Sequence, residues 1–214
     1  MSAKQLLRKS VKALLRQVPR GVIESQSKAI ADALIPLLGD AKNIACFMSM
    51  ENGEVDTQYV LKQLFERGSA VYLPRCTSTR ETGHVSLRES KKHHMHLTFH
   101  RMTSWQQVTE MVPQGKYQLR EPPKEDPAPL PAKLDVMLAP AVAFCLQNGA
   151  RIGHGAGFYD DFFQRYQLQH NGSKPLLIGL SLVEQIVDTI PVEPHDWQMD
   201  CIVSGDGEVS WVNR

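Results

Sequence analysis

Two apolar runs with a helical stretch between them constrain the fold of this 214-residue chain more than any other feature. The run I44-A-C-F-M-S-M50 has the continuous apolar pattern of a buried strand, and A70-V-Y-L-P74 repeats that pattern after a helical stretch that ends at Gly68. A strand, a helix and a second strand joined by short links form a βαβ unit, whose two strands run parallel. The chain is therefore expected to build a parallel sheet.

The rest of the chain continues this alternation. Further buried-strand patterns lie at residues 134–140, 176–182 and 201–204, and helical patterns at 22–38, 104–111, 158–168 and 183–187. Short strands are also predicted at 84–89 and 96–101. Five prolines between 122 and 131 predict a stiff extended connection. Together these patterns predict a single three-layer α/β domain over residues 1–214, with helices on both faces of a mostly parallel sheet and the proline-rich connection inside it.

The composition is that of an ordinary globular chain. Apolar residues make up 42% and charged residues 22%, and the formal net charge is +1, so bulk charge favours neither nucleic acid nor a membrane as a partner. No apolar run has the length needed to cross a bilayer. We interpret the cysteines, which are too far apart for a CxxC pair, as buried thiols of a reducing compartment: Cys46, Cys76, Cys145 and Cys201. The expected location is the cytoplasm.

The first twenty residues are predicted to form a basic amphipathic helix. Four cations recur at every fourth position: Lys4, Arg8, Lys12 and Arg16. Like charges at this spacing cost about 0.2–0.5 kcal/mol for each neighbouring pair. The row could be a solvated face, or an anion docked on it could relieve the repulsion. A mitochondrial transit peptide has the same composition and is a further alternative.

A second unusual stretch is R151-I-G-H-G-A-G-F-Y-D160. Its glycines at alternate positions, set before a helix, let backbone N–H groups converge on an anion beside the positive end of that helix. The spacing matches neither the dinucleotide GxGxxG pattern nor a Walker A loop, and a tight turn without a ligand is the alternative. A carboxylate next to a bound phosphate needs a cation between them, as when Mg²⁺ is held by carboxylate and phosphate oxygens. We leave Asp160 open between a metal ligand and a helix cap, and assign Asp161 to capping.

Histidines are densest at His93, His94, His96 and His100. No cysteine or acid stands at ligand spacing from them, so a native metal site is not predicted. We interpret this cluster as part of a basic, mobile surface loop.

The run from Arg151 to Asp160 resembles the signature of the 5-formyltetrahydrofolate cyclo-ligase (methenyltetrahydrofolate synthetase) family, R-hydrophobic-G-x-G-x-G-aromatic-Y-D. Six further segments are similar to motifs of that family, and all seven occur in family order across nearly the whole chain. The six are K4-Q-L-L-R8, F47-M-S-M-E-N-G-E-V-D-T57, Y72-L-P-R75, L119-R-E-P122, P140-A-V-A-F144 and I190-P-V-E-P-H-D-W-Q-M-D200.

The resemblance implies an ATP- and Mg²⁺-dependent ligase that cyclises 5-formyltetrahydrofolate to 5,10-methenyltetrahydrofolate, with release of ADP and phosphate. In the family's scheme the formyl oxygen attacks the γ-phosphate, N10 closes the ring, and phosphate leaves. Such a phosphoryl transfer depends on positioning and charge neutralisation rather than on a protein nucleophile. The implied partners are these small molecules, with no nucleic acid or membrane, and we expect a monomer.

The resemblance also implies the site residues. The ATP-binding set is Lys4, Arg8, Arg151, Ile152, Gly153, His154, Gly155, Ala156, Gly157, Phe158 and Tyr159. The folate-binding set is Met48, Glu54, Trp105, His154, Gly155, Ala156, Gly157 and Phe158. Arg151 and His154 are the catalytic candidates, and Asp160 and Asp196 would hold Mg²⁺ directly or through water. Cleavage of a transit peptide would remove Lys4 and Arg8, which leaves a mitochondrial location as the minor alternative.

Each of these assignments has a structural alternative. Met48 could be a core residue, Glu54 a solvated turn residue, Trp105 a packing residue and Asp196 a turn cap.

The sequence departs from the family pattern at three positions. His154 and Ala156 fill slots where many members carry a basic residue, and Cys145 stands where members often have Asp. We expect these changes to alter turnover and not the reaction type.

Two other classes of function remain open. A phosphosugar-isomerase-like or CoA-transferase-like enzyme would leave Lys4 and Arg8 without a role. A folate-binding or RNA-associated protein without turnover would be expected to lose Asp160 or Arg151, and both are present.

Overall fold

The computed structural model describes residues 1–50, 53–88, 91–115, 118–123 and 133–212. The α-helices within these residues are α1 (Ala3–Leu15), α2 (Arg20–Leu37), α3 (Gln58–Glu66), α4 (Thr79–Thr82), α5 (Trp105–Thr109) and α6 (Phe158–Gln169), and Val183–Gln185 is a 3₁₀ turn. The strands are β1 (Asn43–Ala45), β2 (Ala70–Ser78), β3 (Met95–Met102), β4 (Pro113–Gln114), β5 (Leu119–Arg120), β6 (Val136–Ala139), β7 (Ala143–Phe144), β8 (Arg151–Ile152), β9 (Leu176–Ser181), β10 (Cys201–Ser204) and β11 (Val209–Trp211).

In the part of the chain that the structure describes, seven strands form one sheet in the order β11-β10-β9-β6-β1-β2-β3. Its five inner strands are parallel, and the edge strands β11 and β3 are antiparallel to their neighbours. Ile44 of β1 lies between Val136 of β6 and Val71 of β2. From β1 the chain continues through α3 to β2 on one side, and from β6 it continues through α6 to β9 on the other. The gap between β1 and β6 is therefore a topological switch point, where ligands of open α/β sheets bind.

The sheet separates two apolar cores, because successive residues of a strand point to opposite faces. Within β6, Val136 and Leu138 join one core and Met137 joins the other. The first core also contains the buried residues of α1, α2 and α3, whereas Phe162 of α6 belongs to the second. The predicted α/β fold, with helices on both faces of a mostly parallel sheet, is confirmed.

Helix α1 is an integral part of the first core. Val11 and Leu15 are both 5% exposed, and Ser2 and Gln5 form a capping box that starts the helix. The apolar stripe of α1 faces the protein, and Lys4 and Arg8 therefore lie at the edge of the sheet where the switch point opens. None of the helices that the structure describes is both long and apolar enough to span a membrane.

Several predicted elements differ from those observed. Residues 84–88 are irregular rather than a strand, because the carbonyl of Val85 accepts a hydrogen bond from Arg165 instead of a ladder partner. β2 continues past Pro74 to Ser78, since β3 pairs with it along its length. β11 was not predicted. Most of the proline-rich connection, residues 124–132, lies outside the described residues, so its place within one domain over 1–214 stays a prediction.

Candidate functional site

A cavity of about 290 Å³ opens at the carboxyl end of β6, beside the switch point. Four segments form its walls: the first two turns of α1, residues 140–141 directly after β6, the stretch 151–160, and the stretch 193–196. Every residue predicted to bind ATP lines it, and so do both predicted metal ligands: Lys4, Arg8, Arg151, Ile152, Gly153, His154, Gly155, Ala156, Gly157, Phe158, Tyr159, Asp160 and Asp196. Local sequence could not show this convergence, because it depends on how α1 packs.

The stretch 153–157, here called the glycine loop, joins β8 to α6. Gly155 has a φ of +107° and Gly157, the N-cap of α6, a φ of +67°, which residues with a Cβ rarely adopt. No described residue accepts a hydrogen bond from the backbone N–H groups of the loop. Together with the positive end of α6, the loop offers the donors that an anion requires.

The guanidinium of Arg151 lies directly beneath this loop. Its side chain is 3% exposed, its Nη2 donates to Asp160 Oδ1 at 2.8 Å, and it stacks on the rings of Tyr159 and Phe163. Its Nε has no partner among the described residues. A buried donor without a partner is costly. Arg151 also lines the cavity, so its guanidinium is available to attract a ligand anion there.

The acidic side of the cavity is neutralised by Lys4. Its Nζ donates to Asp196 Oδ2 at 2.6 Å and to Glu193 Oε2 at 2.8 Å. Burial opposes the charged form of both groups, but the hydrogen bonds between them outweigh it, so the pKa of Lys4 is raised and the pKa of Asp196 is lowered. The ammonium group of Lys4 therefore occupies a position at which the carboxylates of Asp196 and Glu193 would also attract a metal cation.

The sequence predicts that Asp160 and Asp196 hold Mg²⁺ together. In the structure, the group of potential ligand atoms that lie close together includes Asp196 but not Asp160. Glu193, His195 and Asp196 offer ligand atoms that lie within 4.8 Å of one another. Asp160 instead accepts hydrogen bonds from Arg151 and from the backbone N–H of Trp197. Sequence reasoning missed Glu193 and His195 as lining residues, although both lie in the quoted stretch I190–D200.

The residues predicted for folate are only partly brought together. Glu54 is 7% exposed, and its Oε1 lies 3.7 Å from Nε2 of His154 in the glycine loop. His154 also lines a second cavity of about 210 Å³ beside Met50 and Gly53, so the two cavities meet at this residue. Met48, in contrast, is 8% exposed and belongs to the core.

Trp105 is not placed at either cavity. Its ring packs against Phe65 with 6.5 Å between ring centroids, on the core between α3 and α5. The packing alternative therefore describes Trp105 better than a stacking role against folate.

The histidine cluster is not a mobile surface loop, and this interpretation was wrong. His94, His96 and His100 are buried, with exposed fractions of 6%, 1% and 6%, and α6 covers His94 through the contacts of Asp161 and Arg165 with its ring. A polar sequence pattern does not reveal that a helix covers the strand.

Asp161 is likewise not a helix cap. Gly157 is the N-cap of α6, and the Asp161 carboxylate accepts from Arg165 Nε at 2.6 Å and lies 2.7 Å from His94 Nε2. The carboxylate is only 6% exposed, so it is stabilised by these two partners and not by the first-turn amides.

His96 is held neutral by its surroundings. Its Nδ1 lies 3.2 Å from the Leu97 carbonyl oxygen, which can only accept, so Nδ1 carries the hydrogen and Nε2 accepts from the Thr82 hydroxyl at 3.0 Å. Burial first, and then the positive charge of Arg165, lower the pKa of His96 to about 4.

We expect this histidine to make the protein less stable in acid. The pKa of His96 is lower in the folded than in the unfolded state, so only the unfolded state takes up this proton between about pH 6.5 and pH 4. The free energy of unfolding should therefore fall across that window by roughly 2 kcal/mol from this group, after allowance for solvent screening. Urea unfolding of the wild type and His96→Gln at pH 7, 6, 5 and 4.5 measures it. Parallel pH curves for the two proteins would contradict the assignment.

The prediction of buried thiols is confirmed for three of the four cysteines, and the reducing compartment stays a prediction. Cys46, Cys145 and Cys201 are buried and Cys76 is half-buried, all as thiols. Burial raises the pKa of Cys46 to about 12, so it is not a reactive thiolate. Cys145, at a position where the resembled family often has Asp, donates its S–H to the carbonyl of Asp188 at 3.1 Å and takes no part in the cavity.

Comparison with known proteins gives a consistent result. The model of the 5-formyltetrahydrofolate cyclo-ligase family matches residues 1–205. The 5-formyltetrahydrofolate cyclo-ligase of Saccharomyces cerevisiae is 50% identical over 99% of both chains, and that of Mus musculus is 28% identical over 98% of this chain and 97% of its own. The NMR structure of Aquifex aeolicus 5,10-methenyltetrahydrofolate synthetase superposes with a TM-score of 0.73 at 21% identity, and covers 100% of this chain and 94% of that one. This last likeness shows the shared fold.

Proposed function

The chain belongs to the 5-formyltetrahydrofolate cyclo-ligase family, and we propose that it converts 5-formyltetrahydrofolate to 5,10-methenyltetrahydrofolate with MgATP as co-substrate. One observation carries the ATP part of this proposal. One cavity is surrounded by the buried Arg151, the cations of α1 and the N–H groups of the glycine loop, which have no hydrogen-bond partner among the described residues. Backbone donors and convergent cations are how proteins bind polyphosphates.

In the proposed reaction the formyl oxygen attacks the γ-phosphorus. A new O–P bond forms while the bond between the β,γ-bridging oxygen and the γ-phosphorus breaks, and ADP leaves. N10 then adds to the activated formyl carbon and loses its proton, and the former formyl oxygen departs with phosphate. Both steps need reacting groups held in line and negative charge neutralised, which the loop amides and Arg151 would supply.

His154 and Glu54 stand where the two halves of this reaction would meet. Their side chains lie 3.7 Å apart, and His154 lines both cavities. The nucleotide would occupy the larger cavity and the pterin the smaller. Glu54 lines neither cavity, since its side chain is 6% exposed and accepts from the Met50 N–H at 3.1 Å, so His154 would contact both ligands directly. This arrangement brings the formyl group close to the γ-phosphate.

The donor set at the acidic side fits Mg²⁺. Carboxylate oxygens are the ligands this ion prefers, and the balance of Asp196 and Glu193 by Lys4 indicates that two negative charges here require a cation. We propose that Asp160 and Asp196 hold the ion, directly or through water, and that Lys4 turns to the phosphates. When bound, the ion neutralises charge on the transferring phosphoryl group.

The test is turnover by the purified protein. Mixed with 5-formyltetrahydrofolate and MgATP, it should produce the absorbance of methenyltetrahydrofolate, and ADP should appear in equal amount. Omission of ATP, or addition of EDTA, should abolish product, and excess Mg²⁺ should restore it. Product formed without ATP, or no product at all, would contradict the proposal.

A cytoplasmic location is part of the proposal, with mitochondria as the alternative. Removal of α1 would uncover the core side of the sheet, since Val11 and Leu15 are buried there, and would take Lys4 away from Asp196. The monomeric state remains a prediction from the sequence.

A further inference from the structure

Arg88 contacts the glycine loop from a segment that none of the sequence motifs includes. Its Nη2 donates to the carbonyl oxygen of Ala156 at 2.6 Å. Arg8, near the start of the chain, contacts the same loop: its Nε donates to the carbonyl oxygen of Gly153 at 2.7 Å. Two arginines that are 80 positions apart in sequence thus hold the first and the fourth carbonyl of one five-residue loop.

These contacts fix the direction of the loop amides. In a planar trans peptide the N–H points away from the C=O of the same unit. A guanidinium on the carbonyl of Ala156 therefore orients the N–H of Gly157, and one on the carbonyl of Gly153 orients the N–H of His154. Neither N–H donates to another residue that the structure describes, so both are available to a ligand.

The two arginines differ in how they reach the loop. Arg8 lines the cavity and can touch a ligand itself, whereas Arg88 contacts the loop through the Ala156 carbonyl and is not among the lining residues. Both guanidiniums pack closely on the loop: a Cβ built on Gly155 would lie 3.8 Å from Arg8 Cζ, and one built on Gly157 would lie 3.8 Å from Arg88 Nη2, which are ordinary van der Waals contacts. Arg88 therefore acts on the backbone and not on the ligand.

The backbone of Arg88 is itself anchored. Its N–H donates to Ser86 Oγ at 3.2 Å, and that oxygen lies 3.0 Å from Nδ1 of His94. His94 lies 2.7 Å from the Asp161 carboxylate in the first turn of α6. Arg165, from the same helix, donates to the Val85 carbonyl at 2.7 Å. Residues 85–88 are thus tied to the helix that begins where the glycine loop ends.

This chain of contacts explains a buried network that the proposed reaction does not use. Asp161, Arg165 and His94 are each at least 93% buried, and such networks are kept only where every member has a partner. Here the network connects the first turn of α6 to Arg88, and through Arg88 back to the carbonyl of Ala156 just before that turn.

We propose that Arg88 is a positioning residue of the nucleotide site, which holds the Ala156 carbonyl so that the Gly157 N–H points at the polyphosphate of the co-substrate. This inference rests on the proposed function, because it assumes that ATP binds at the glycine loop. It predicts an effect on nucleotide affinity that is separate from any effect on folate.

The experiment compares Arg88→Ala with Arg80→Ala. Arg80 lies eight residues earlier in α4, is exposed, and its side chain has no hydrogen bond to another described residue, so its removal changes the net charge equally without touching the loop. Arg88→Ala should raise the KM for MgATP and the Kd of MgADP about tenfold, the range of one charge-assisted hydrogen bond. The KM for 5-formyltetrahydrofolate should stay within about twofold, as should all constants of Arg80→Ala. Arg88→Lys, which can still donate to the carbonyl, should recover most of the loss.

A second variant tests the same path without altering the arginine. Ser86→Ala removes the anchor of the Arg88 backbone and should raise the Kd of MgADP about threefold, and the double variant should be no weaker than Arg88→Ala alone. Equal nucleotide binding by Arg88→Ala and wild type would overturn the inference, as would an equal loss in Arg80→Ala or parallel rises in both KM values. Each of these results leaves the proposed function standing. A wild type that binds no nucleotide would overturn both.

Discussion

Replacing Arg151 with alanine is expected to lower kcat/KM by about a thousandfold, the usual range for removing a cation aimed at a transferring phosphoryl group. Arg151 is the cation that the fold buries most deeply beside the glycine loop, with a side chain only 3% exposed and one guanidinium nitrogen that has no partner among the described residues. Burial strengthens its interaction with phosphate oxygens, because little water competes. Steady-state kinetics with both substrates varied measure the effect.

The control for Arg151 is Arg67→Ala. Arg67 is also partly buried and donates to backbone carbonyls, those of Gly39 and Ala41, but it lies at the end of α3 away from the cavity. It should lose stability with little change in kcat/KM. Thermal unfolding of both variants separates the two effects. If Arg151→Ala keeps more than a tenth of wild-type kcat/KM, Arg151 does not have the role proposed for it.

Gly149→Ala is expected to destabilise the fold by roughly 4 kcal/mol. Gly149 has a φ of +69°, and a Cβ there would overlap the backbone oxygen of Met199 and approach Cγ2 of Val212 to 3.0 Å. The backbone has little freedom to move away, because the N–H of Met199 donates to the Gly149 carbonyl at 2.8 Å. Both the left-handed conformation and the overlap therefore contribute to the cost.

Gly68→Ala separates these two contributions. Gly68 has a φ of +78° at the end of α3, but nothing lies within 4 Å of a Cβ built on it. It should cost only about 1 kcal/mol, the strain of a left-handed alanine. Urea unfolding monitored by circular dichroism gives both values. Equal losses in the two variants would show that the contact with Met199 has no effect of its own.

Much of the fold and part of the site could be predicted from local sequence. The helices α1, α2, α3 and α6 and the buried strands follow from periodicity, which each segment expresses without its neighbours. The glycine loop is also local, since a left-handed backbone and closely spaced amides need glycine at those positions. Its proposed role as an anion site rests on this local pattern.

Other features could not be predicted because they depend on partners that are remote in sequence. In the sequence Glu193 has the pattern of an ordinary exposed acid, and only the packing of α1 shows that Lys4 pairs with it. The sequence allows Trp105 to stack on a ligand, whereas in the structure its ring packs on Phe65. β2 runs past Pro74 only because β3 pairs with its outer edge. In each case the local residues permit more than one environment.

The sequence alone determined the sheet class, the helix that carries the basic row and the loop that can bind an anion, because each depends on residues a few positions apart. Tertiary structure alone decided which charges are buried and what they face. His94, Asp161 and Arg165 are polar residues of unremarkable pattern that become an interior network once α6 covers β3, and Arg88 reaches the loop only because that network holds residues 85–88 in place. Burial and long-range hydrogen bonding are properties of the packed chain, since desolvation depends on everything that surrounds a group.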